Sequence, residues 1–308
     1  MGRIEKRKKN RWWKITLLVV GLVVLVGGLY AYSVYSDVKH TVNEDLHESV
    51  TSIDNKVTKE KVEEKEPLNV LLLGVDERQG DVGRSDTMIV MTLDPDNDRM
   101  QMVSIPRDTR TEIIGRGTVE KINHSYAYGG SNMAVDTVEN FLDIELDYFV
   151  RVNMEGLKQL VDAVDGITVN NNLAFKNGGH QFDEGELELN GEEALAFVRM
   201  RKQDPKGDIG RNERQRQVIE GVINKGASFG GVSKINDILE VLGNNVSTNM
   251  DFSDMRSLVT DYSSARKNTE TYQITGNGKF IGDLWYLIVP EEEVEKAHEM
   301  ITNFPSKQ

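Results

Sequence analysis

The chain of 308 residues carries 50 acidic against 37 basic side chains, a formal charge of −13, with 38% hydrophobic and 28% charged residues. Those proportions belong to a folded protein rather than a disordered one, and the length allows one large domain or two small ones. Cysteine is absent, which excludes disulfides and thiolate metal sites, and the acidity excludes generic nucleic-acid binding.

The first element reads as a membrane anchor. Arg3, Lys6, Arg7, Lys8, Lys9, Arg11 and Lys14 precede an apolar run from Ile15 to Tyr32, with Tyr30, Tyr32 and Tyr35 at its far edge. Such a run is long enough to cross a bilayer and too long for a typical signal-peptide core, and no small-x-small cleavage site follows it. The positive-inside rule keeps the basic flank in the cytoplasm. The expected organisation is a cytoplasmic tail at 1–14, a transmembrane signal anchor at 15–35 and everything after about Ser36 outside the cell. Residues 1–14 hold seven Lys or Arg and one Glu, so the remainder carries −19. Any anion it accepts must be held by a local cluster.

Residues 36–66 read as a polar stalk or linker. Val38, Val42, Leu46, Val50, Ile53 and Val57 recur at spacings of three and four, which predicts a stalk helix of roughly 30 Å with a narrow apolar stripe. That stripe needs a partner, and the domain, a second copy or the membrane surface would each serve.

The main domain is expected to span 67–308. Val70 to Val75 is a continuous apolar run of the kind buried on both faces, followed by a second run from Thr87 to Leu93. Asp94-Pro95-Asp96-Asn97 signals a turn, and Arg99 to Ile105 returns as a hairpin strand. Residues 115–130 read as a loop, then come a helix from about Ser131 to Leu142 and a strand near Tyr148 to Val152. Asn153 is expected to cap a helix ending before Gly166, with another strand at Ile167 to Val169. A helix after Ser253, strands near Tyr272 to Thr275 and Leu284 to Val289, and a last acidic helix opened by Pro290 complete the chain. Helices alternating with apolar strands predict an α/β sandwich: a central, mostly buried mixed sheet flanked by helices, preceded by one transmembrane helix.

Cations concentrate between Arg199 and Gln217. Asn190 with Glu193 three residues later is a capping-box pattern, so a short helix starts there. If the chain is extended through Val198 to Arg201, Arg199 and Arg201 project from one face. A second helix is expected near Asp208 or Gly210, on which Arg211, Gln215, Val218 and Val222 share one face. The apolar end of that face must be buried, which turns Arg211 and Gln215 inward, whereas Arg216, four before Glu220, reads as a solvated ion pair. Inward arginines suit phosphate oxygens. The competing reading is a basic surface helix paired to Asp204, Asp208 and Glu213.

Two carboxylates form a second constellation. Asp76 follows the first strand and Asp86 opens the second, so the intervening loop can bring them together. Two carboxylates with waters and ligand phosphates are how Mg²⁺ is commonly held, although loop solvation or turn capping would also use them. Arg84 lies between them and Arg107 just past a neighbouring strand, at strand ends where α/β proteins bind ligands; surface salt bridges are the alternative. His124 lacks partners at zinc-ligand spacing, and neither a nucleophile elbow nor a Gly-Lys-Ser phosphate loop is present.

Four stretches carry a resemblance: N-V-L-L-L-G-V-D-E-R with G-R-S-D-T at 69–87, M-V-S-I-P-R-D-T at 102–109, K-I-N-H-S-Y-A-Y-G-G at 121–130, and L-N-G-E-E-A-L-A-F-V-R-M-R with G-D-I-G-R-N-E-R-Q-R-Q at 189–217. In this order they resemble the LytR-CpsA-Psr family, nearest to its teichoic acid transferases of Gram-positive bacteria. The resemblance implies a cell-membrane, single-pass type II protein. It would move an anionic wall polymer from an undecaprenyl-pyrophosphate carrier to the N-acetylmuramic acid C6 hydroxyl of peptidoglycan, its prenyl tail held in an apolar tunnel. Carried over by position, Asp76 and Asp86 match the magnesium-linked pair. Arg84, Arg107, Arg199, Arg201, Arg211 and Gln215 match pyrophosphate-binding positions, and Asp208 a further acidic one. Arg107, Arg199, Arg201, Asp208 and Arg211 are the expected catalytic set, with Asp208 activating the hydroxyl or orienting Arg211. Orientation is preferred, since a carboxylate held by arginines is a poor base. A lipid-pyrophosphate phosphatase and a non-catalytic carrier-binding protein are the rival classes.

Overall fold

Strand β1 (Leu68–Val75) shows why the sheet is central. Its residues alternate between two apolar clusters: Leu71, Leu73 and Val75 face one, while Leu68, Val70 and Leu72 face the other. A strand with both faces buried needs the unbroken apolar run seen in the sequence. The computed structural model describes residues 36, 39–77, 82–227 and 245–303. The expected anchor at 15–35 lies outside them; among the described residues no helix is long and apolar enough to cross a membrane.

After helix α1 (Asn55–Glu64), β1 is followed by β2 (Ser85–Asp94), β3 (Arg99–Ser104) and the hairpin β4 (Arg110–Ile113) and β5 (Thr118–Lys121). Next come α2 (His124–Leu142), β6 (Tyr148–Asn153), α3 (Met154–Ala163), β7 (Ile167–Asn171), β8 (Phe175–Asn177), β9 (His180–Phe182) and β10 (Gly185–Leu189). The chain continues through α4 (Gly191–Arg199), α5 (Asp208–Ala227), β11 (Val246–Thr248), α6 (Phe252–Thr260), β12 (Asn268–Gln273), β13 (Asn277–Ile281), β14 (Leu284–Ile288) and α7 (Glu291–Thr302).

Six strands form the main sheet in the order β11-β6-β1-β2-β3-β12. β1 runs parallel to β6 and antiparallel to β2, and β3 runs parallel to β12, so the sheet is mixed, as expected. One face packs Ala134, Val135, Val138 and Leu142 of α2 with Ala297 and Ile301 of α7. The other meets Ile219 and Ile223 of α5 and Met255 and Leu258 of α6. A second lobe joins α3, α4 and β7 to β10 around Phe175, Phe182 and Phe197, whose ring centroids lie 4.8–5.6 Å apart.

Two expectations change. The stretch 115–130 is not a plain loop: β5 and the first turns of α2 occupy part of it, and Gly129 and Gly130 break the helix, Gly130 with φ 62°. The expected helix start at Ser131 is the resumption after that break. Residues 36–66 do not form one stalk helix either. A π-helical turn at Thr41–Leu46 gives way to extended chain, where the Glu48 N–H donates to the Thr248 carbonyl at 2.8 Å, before α1 begins. The domain itself takes up the middle of the stripe, burying Val42, Leu46, Val50 and Ile53, whereas Val57 stays exposed and Val38 lies outside the described residues. Lys61 adds an ion pair to the buried Asp147 at 2.8 Å. An apolar stripe beside an open sheet edge gains more from packing than from a free-standing helix.

Candidate active site

Strand ends deliver the first groups. In the β1/β2 pair Val75 lies opposite Ser85 across a bulge, and the Asp76 N–H donates to the Arg84 carbonyl at 3.1 Å. Asp76 and Asp86 therefore emerge at the same end of adjacent strands. β3 stops before Pro106, which cannot continue the ladder, and the next residue is Arg107. Arg107 Nη1 donates to Asp86 Oδ2 at 2.7 Å, and Asn123 Nδ2 reaches Asp86 Oδ1 at 3.4 Å.

The first turn of α5 supplies the rest. Asp208 pairs with Arg201 at 2.7 Å through Oδ1, and with Arg211 at 3.2 Å and Arg107 at 3.5 Å through Oδ2. One carboxylate thus ties together cations from the strand end, the connecting turn and the helix. Asp108 is taken up by Lys121 at 2.6 Å, with Arg107 farther off at 3.7 Å. Arg107, Arg201 and Arg211 are left sharing Asp86 and Asp208, an excess of positive charge in a chain of net −13.

Burial sharpens that excess. Arg211 is 8% exposed and its Nε has no hydrogen-bond partner. Burial lowers its pKa, against the pull of Asp208, yet guanidinium stays charged in proteins. For Arg107, burial also lowers the pKa, but Asp86, Asp208 and Asp108 outweigh it and the net shift is upward. Its Nε likewise lacks a well-formed hydrogen bond. Buried N–H groups of charged arginines want acceptors, and a phosphate or pyrophosphate supplies several at once.

The other expected site residues fall differently. Gln215 lies one turn beyond Arg211, buried, its Oε1 unpartnered. Arg84 and Arg199 are exposed. Arg199 closes α4 instead of standing on an extended segment, because the capping box at Asn190 and Glu193 starts a helix that runs to it. Arg199 and Arg201 consequently do not project from one strand face. The face carrying Arg211, Gln215, Val218 and Val222 turns inward as its spacing requires. Arg216 is the correction on this helix: it is 6% exposed, and donates to Ser104 Oγ at 2.6 Å and Gln273 Oε1 at 3.2 Å. Spacing to Glu220 suggested a surface pair because period alone does not reveal that β3 and β12 cover this side of α5.

Two contributors were not anticipated. Arg214 pairs with Asp204 at 2.6 Å, both side chains buried, and donates to the Met200 carbonyl, pinning the turn between α4 and α5. The rival reading is thus correct that Asp204, Asp208 and Glu213 all pair with cations of this stretch, Glu213 with Lys206 at 3.0 Å, but not that the helix is a surface one, since Arg211, Arg214 and Arg216 are buried. Asn123, inside the K-I-N-H stretch, touches Asp86 and has a buried Oδ1 without a partner. His124 next to it is a structural neighbour of Glu120, at 3.0 Å.

Among the described residues there is no cluster of three or more His, Cys, Asp or Glu suited to a metal. Asp76, Asp86 and the unpartnered Asn123 oxygen are hard oxygen donors, a set that fits a cation completing its shell with water and phosphate. Behind the cluster, an apolar cavity of about 270 Å³ runs between β1, β6, α3 and α5. Leu72, Leu73, Met91, Val150, Leu157 and Val218 line it, and Gln215 is one of its few polar groups.

The LytR_cpsA_psr family model matches residues 28–303. The chain is 50% identical over 285 residues to the polyisoprenyl-teichoic acid–peptidoglycan teichoic acid transferase TagU of Bacillus subtilis, covering 92% of this chain and 93% of that one. The crystal structure of B. subtilis TagU aligns with a TM-score of 0.65 at 45% identity, over 79% of this chain and 99% of that one. A structure of TagT bound to LIIa-WTA aligns at 0.67 with 29% identity, over 84% and 96%. A mixed sheet between helices, with an arginine cluster at its strand ends and matches of this extent, makes the chain a member of the LytR_cpsA_psr family.

Proposed function

We propose that this chain transfers teichoic acid from a polyisoprenyl-pyrophosphate carrier to peptidoglycan. The observation that carries the reading is the arginine cluster. Arg107, Arg201 and Arg211 share Asp86 and Asp208, Arg107 and Arg211 each keep a buried Nε–H without a well-formed hydrogen bond, and Gln215, one turn beyond Arg211, lines an apolar cavity. A headgroup of two phosphates on a hydrocarbon tail complements both features. The names of the relatives support the same chemistry.

In the reaction the acceptor hydroxyl forms a new P–O bond at the sugar-bearing phosphorus. The bridging P–O–P bond breaks, prenyl phosphate leaves, and the hydroxyl proton goes to the departing phosphate. Phosphoryl transfer asks mainly for positioning and charge stabilisation, and the three guanidinium groups supply both. Arg84 and Arg199, exposed near the ends of β2 and α4, serve the outer phosphate oxygens and the polymer, and Gln215 meets the prenyl end of the headgroup. Asp208 acts by holding three arginines in register, since both of its oxygens face guanidinium nitrogens. Asp76 and Asp86 would hold a magnesium ion, which supplies further neutralisation of the pyrophosphate. The anchor at 15–35 would place the domain at the outer membrane face, where a lipid-linked donor and the wall are both met.

The test uses the full-length chain in detergent micelles, with a synthetic polyprenyl-pyrophosphate-linked teichoic acid donor and glycan strands as acceptor. Acceptor-linked product is expected. Arg107→Ala and Arg211→Ala should each lose about 10²–10³-fold in kcat, the usual cost of deleting a preorganised charge-stabilising donor. Asp208→Asn keeps an oxygen acceptor and should lose roughly tenfold with an unchanged pH profile, whereas a general base costs about 10²–10⁴-fold. Polymer released to water without acceptor would make the protein a phosphatase, and donor binding without product a carrier-binding protein.

A further inference from the structure

A transferase needs a seat for its second substrate, and one built cleft adjoins the arginine cluster and is lined separately from the apolar cavity. It has a volume of about 490 Å³, shares Arg201 and Asp208 with the cluster, and is bounded by Trp285 and Leu287 of β14. Along α5 the two spaces fall in sequence. Asp208, Ile209 and Asn212 line the cleft, whereas Gln215, Val218 and Val222 line the apolar cavity. Arg211 belongs to the first of these turns, on the helix face that continues to Gln215 and Val222. Attacking and leaving oxygens stand roughly in line across a transferring phosphorus. With prenyl phosphate departing toward the apolar cavity, the attacking oxygen must arrive from another space, and the cleft adjoins the cluster at Arg201 and Asp208.

The cleft wall has the make-up of a sugar site. Trp285 is 38% exposed, and Phe280, directly opposite on β13, is 70% exposed. Strand alternation puts both on the same face as Leu287. A Cβ at Gly278 would come within 2.9–3.1 Å of Cζ2, Nε1 and Cε2 of the indole, so only glycine lets the ring lie against that backbone. β14 is itself tied to the phosphate end of the sheet: the Leu287 N–H donates to the Asp108 carbonyl at 2.9 Å, and Leu287 bridges Thr109. The indole is thereby held relative to Arg107. Lys206, Asn212 and Thr275 add polar groups around it. Pyranose rings offer an apolar C–H face for an indole and hydroxyls for such groups, whereas a prenyl chain would strand the polar lining without partners.

Resting on the transferase reading, we propose that this cleft binds the acceptor glycan, with Trp285 as its stacking platform and Gly278 as the residue that positions the ring. The chain has three tryptophans, and Trp12→Phe with Trp13→Phe leaves Trp285 as the sole indole of the full-length protein. Titrating that variant, in micelles and without donor, with uncross-linked N-acetylglucosamine–N-acetylmuramic acid strands should give a saturable change in its emission. Trp285→Ala should raise the acceptor KM about tenfold, the scale of one lost aromatic contact, and leave the donor KM unchanged. Trp285→Phe should recover most of that loss, and Gly278→Ala should raise the acceptor KM while leaving the fold intact. A flat titration, or an unchanged acceptor KM in variants that still transfer, overturns the cleft assignment while the transferase reading stands. A rise in donor KM instead would give the cleft to the donor's own sugars and also overturn it. Glycan that titrates Trp285 with no transfer under any condition would support the cleft and sink the transferase reading.

Discussion

Arg216 and Arg211 sit five residues apart on α5 and are both buried, yet they do different work. Arg211 keeps a guanidinium N–H without a partner beside the cluster, while Arg216 spends its donors inside the protein, on Ser104 and Gln273. Burial lowers the pKa of Arg216 with Glu213 and Glu220 opposing, and burial raises that of Glu220. Removing the guanidinium would take a charged donor from the buried Ser104 hydroxyl and one of two donors from Gln273 Oε1, which Asn212 still bonds at 3.0 Å, a loss of about 3 kcal/mol for hydrogen bonds to a charged group. Arg216→Ala should therefore lower the urea midpoint about as far as Val218→Asp, which inserts a carboxylate into a position 1% exposed. Urea melts of the two variants decide this; a midpoint for Arg216→Ala near that of the parent would contradict the assignment.

The junction of α4 and α5 depends on one buried ion pair. Asp204 and Arg214 lie at 2.6 Å with side chains 5% and 6% exposed, and Gly210 is packed so closely on Asp204 that a Cβ there would overlap its carboxylate. Burial pushes the Asp204 pKa up, but the hydrogen bonds from Arg214 and the Lys206 N–H, with the Arg214 charge, outweigh it and hold the pKa below its ordinary 3.8. A carboxylate with a depressed folded pKa stabilises the native state above its unfolded value, and that stability is lost as pH falls through the lower folded value. The urea midpoint should thus decline on acidification below about pH 4, and Asp204→Asn should start lower and decline less over the same window. Equal slopes for parent and variant would show that the pair contributes nothing.

For the molecule as a whole, the segment before Pro67 packs on the domain that follows it. Val42, Leu46, Val50 and Ile53 are each 5% exposed or less, and Lys61 is the ion-pair partner of Asp147, itself 2% exposed. Burial pushes the Asp147 pKa up, with Lys61 and the Asn69 N–H opposing, so losing Lys61 leaves a buried acid short of a cation. Each such apolar side chain contributes about 1.5–3 kcal/mol when fully buried, against a typical whole-domain stability of about 5–15 kcal/mol. A chain starting at Pro67 should therefore melt far below one starting at Ser36, or fail to fold. Thermal unfolding followed by circular dichroism tests it; equal melting temperatures would mean that the segment is only a tether.

Where a signal is local, the sequence carries it. The capping box at Asn190 and Glu193, the Asn153 cap, the doubly buried run of β1 and the inward face of α5 all depend on neighbours within a few residues, and all are formed. The short strands β8 and β9 and the exposed β13 have no apolar period long enough to read, and the Gly129-Gly130 break hides a helix that starts at His124. The grouping of Arg107, Arg201 and Arg211 around Asp208 joins residues about a hundred positions apart, and family likeness, rather than spacing, had suggested it. Only tertiary packing decided that Arg216 is internal, that Arg199 is exposed on a helix end, and that Val42, Leu46, Val50 and Ile53 of the 36–66 stripe are covered by the domain. Those outcomes depend on which surface meets each side chain, and a one-dimensional period records the face a residue occupies but not what lies across from it.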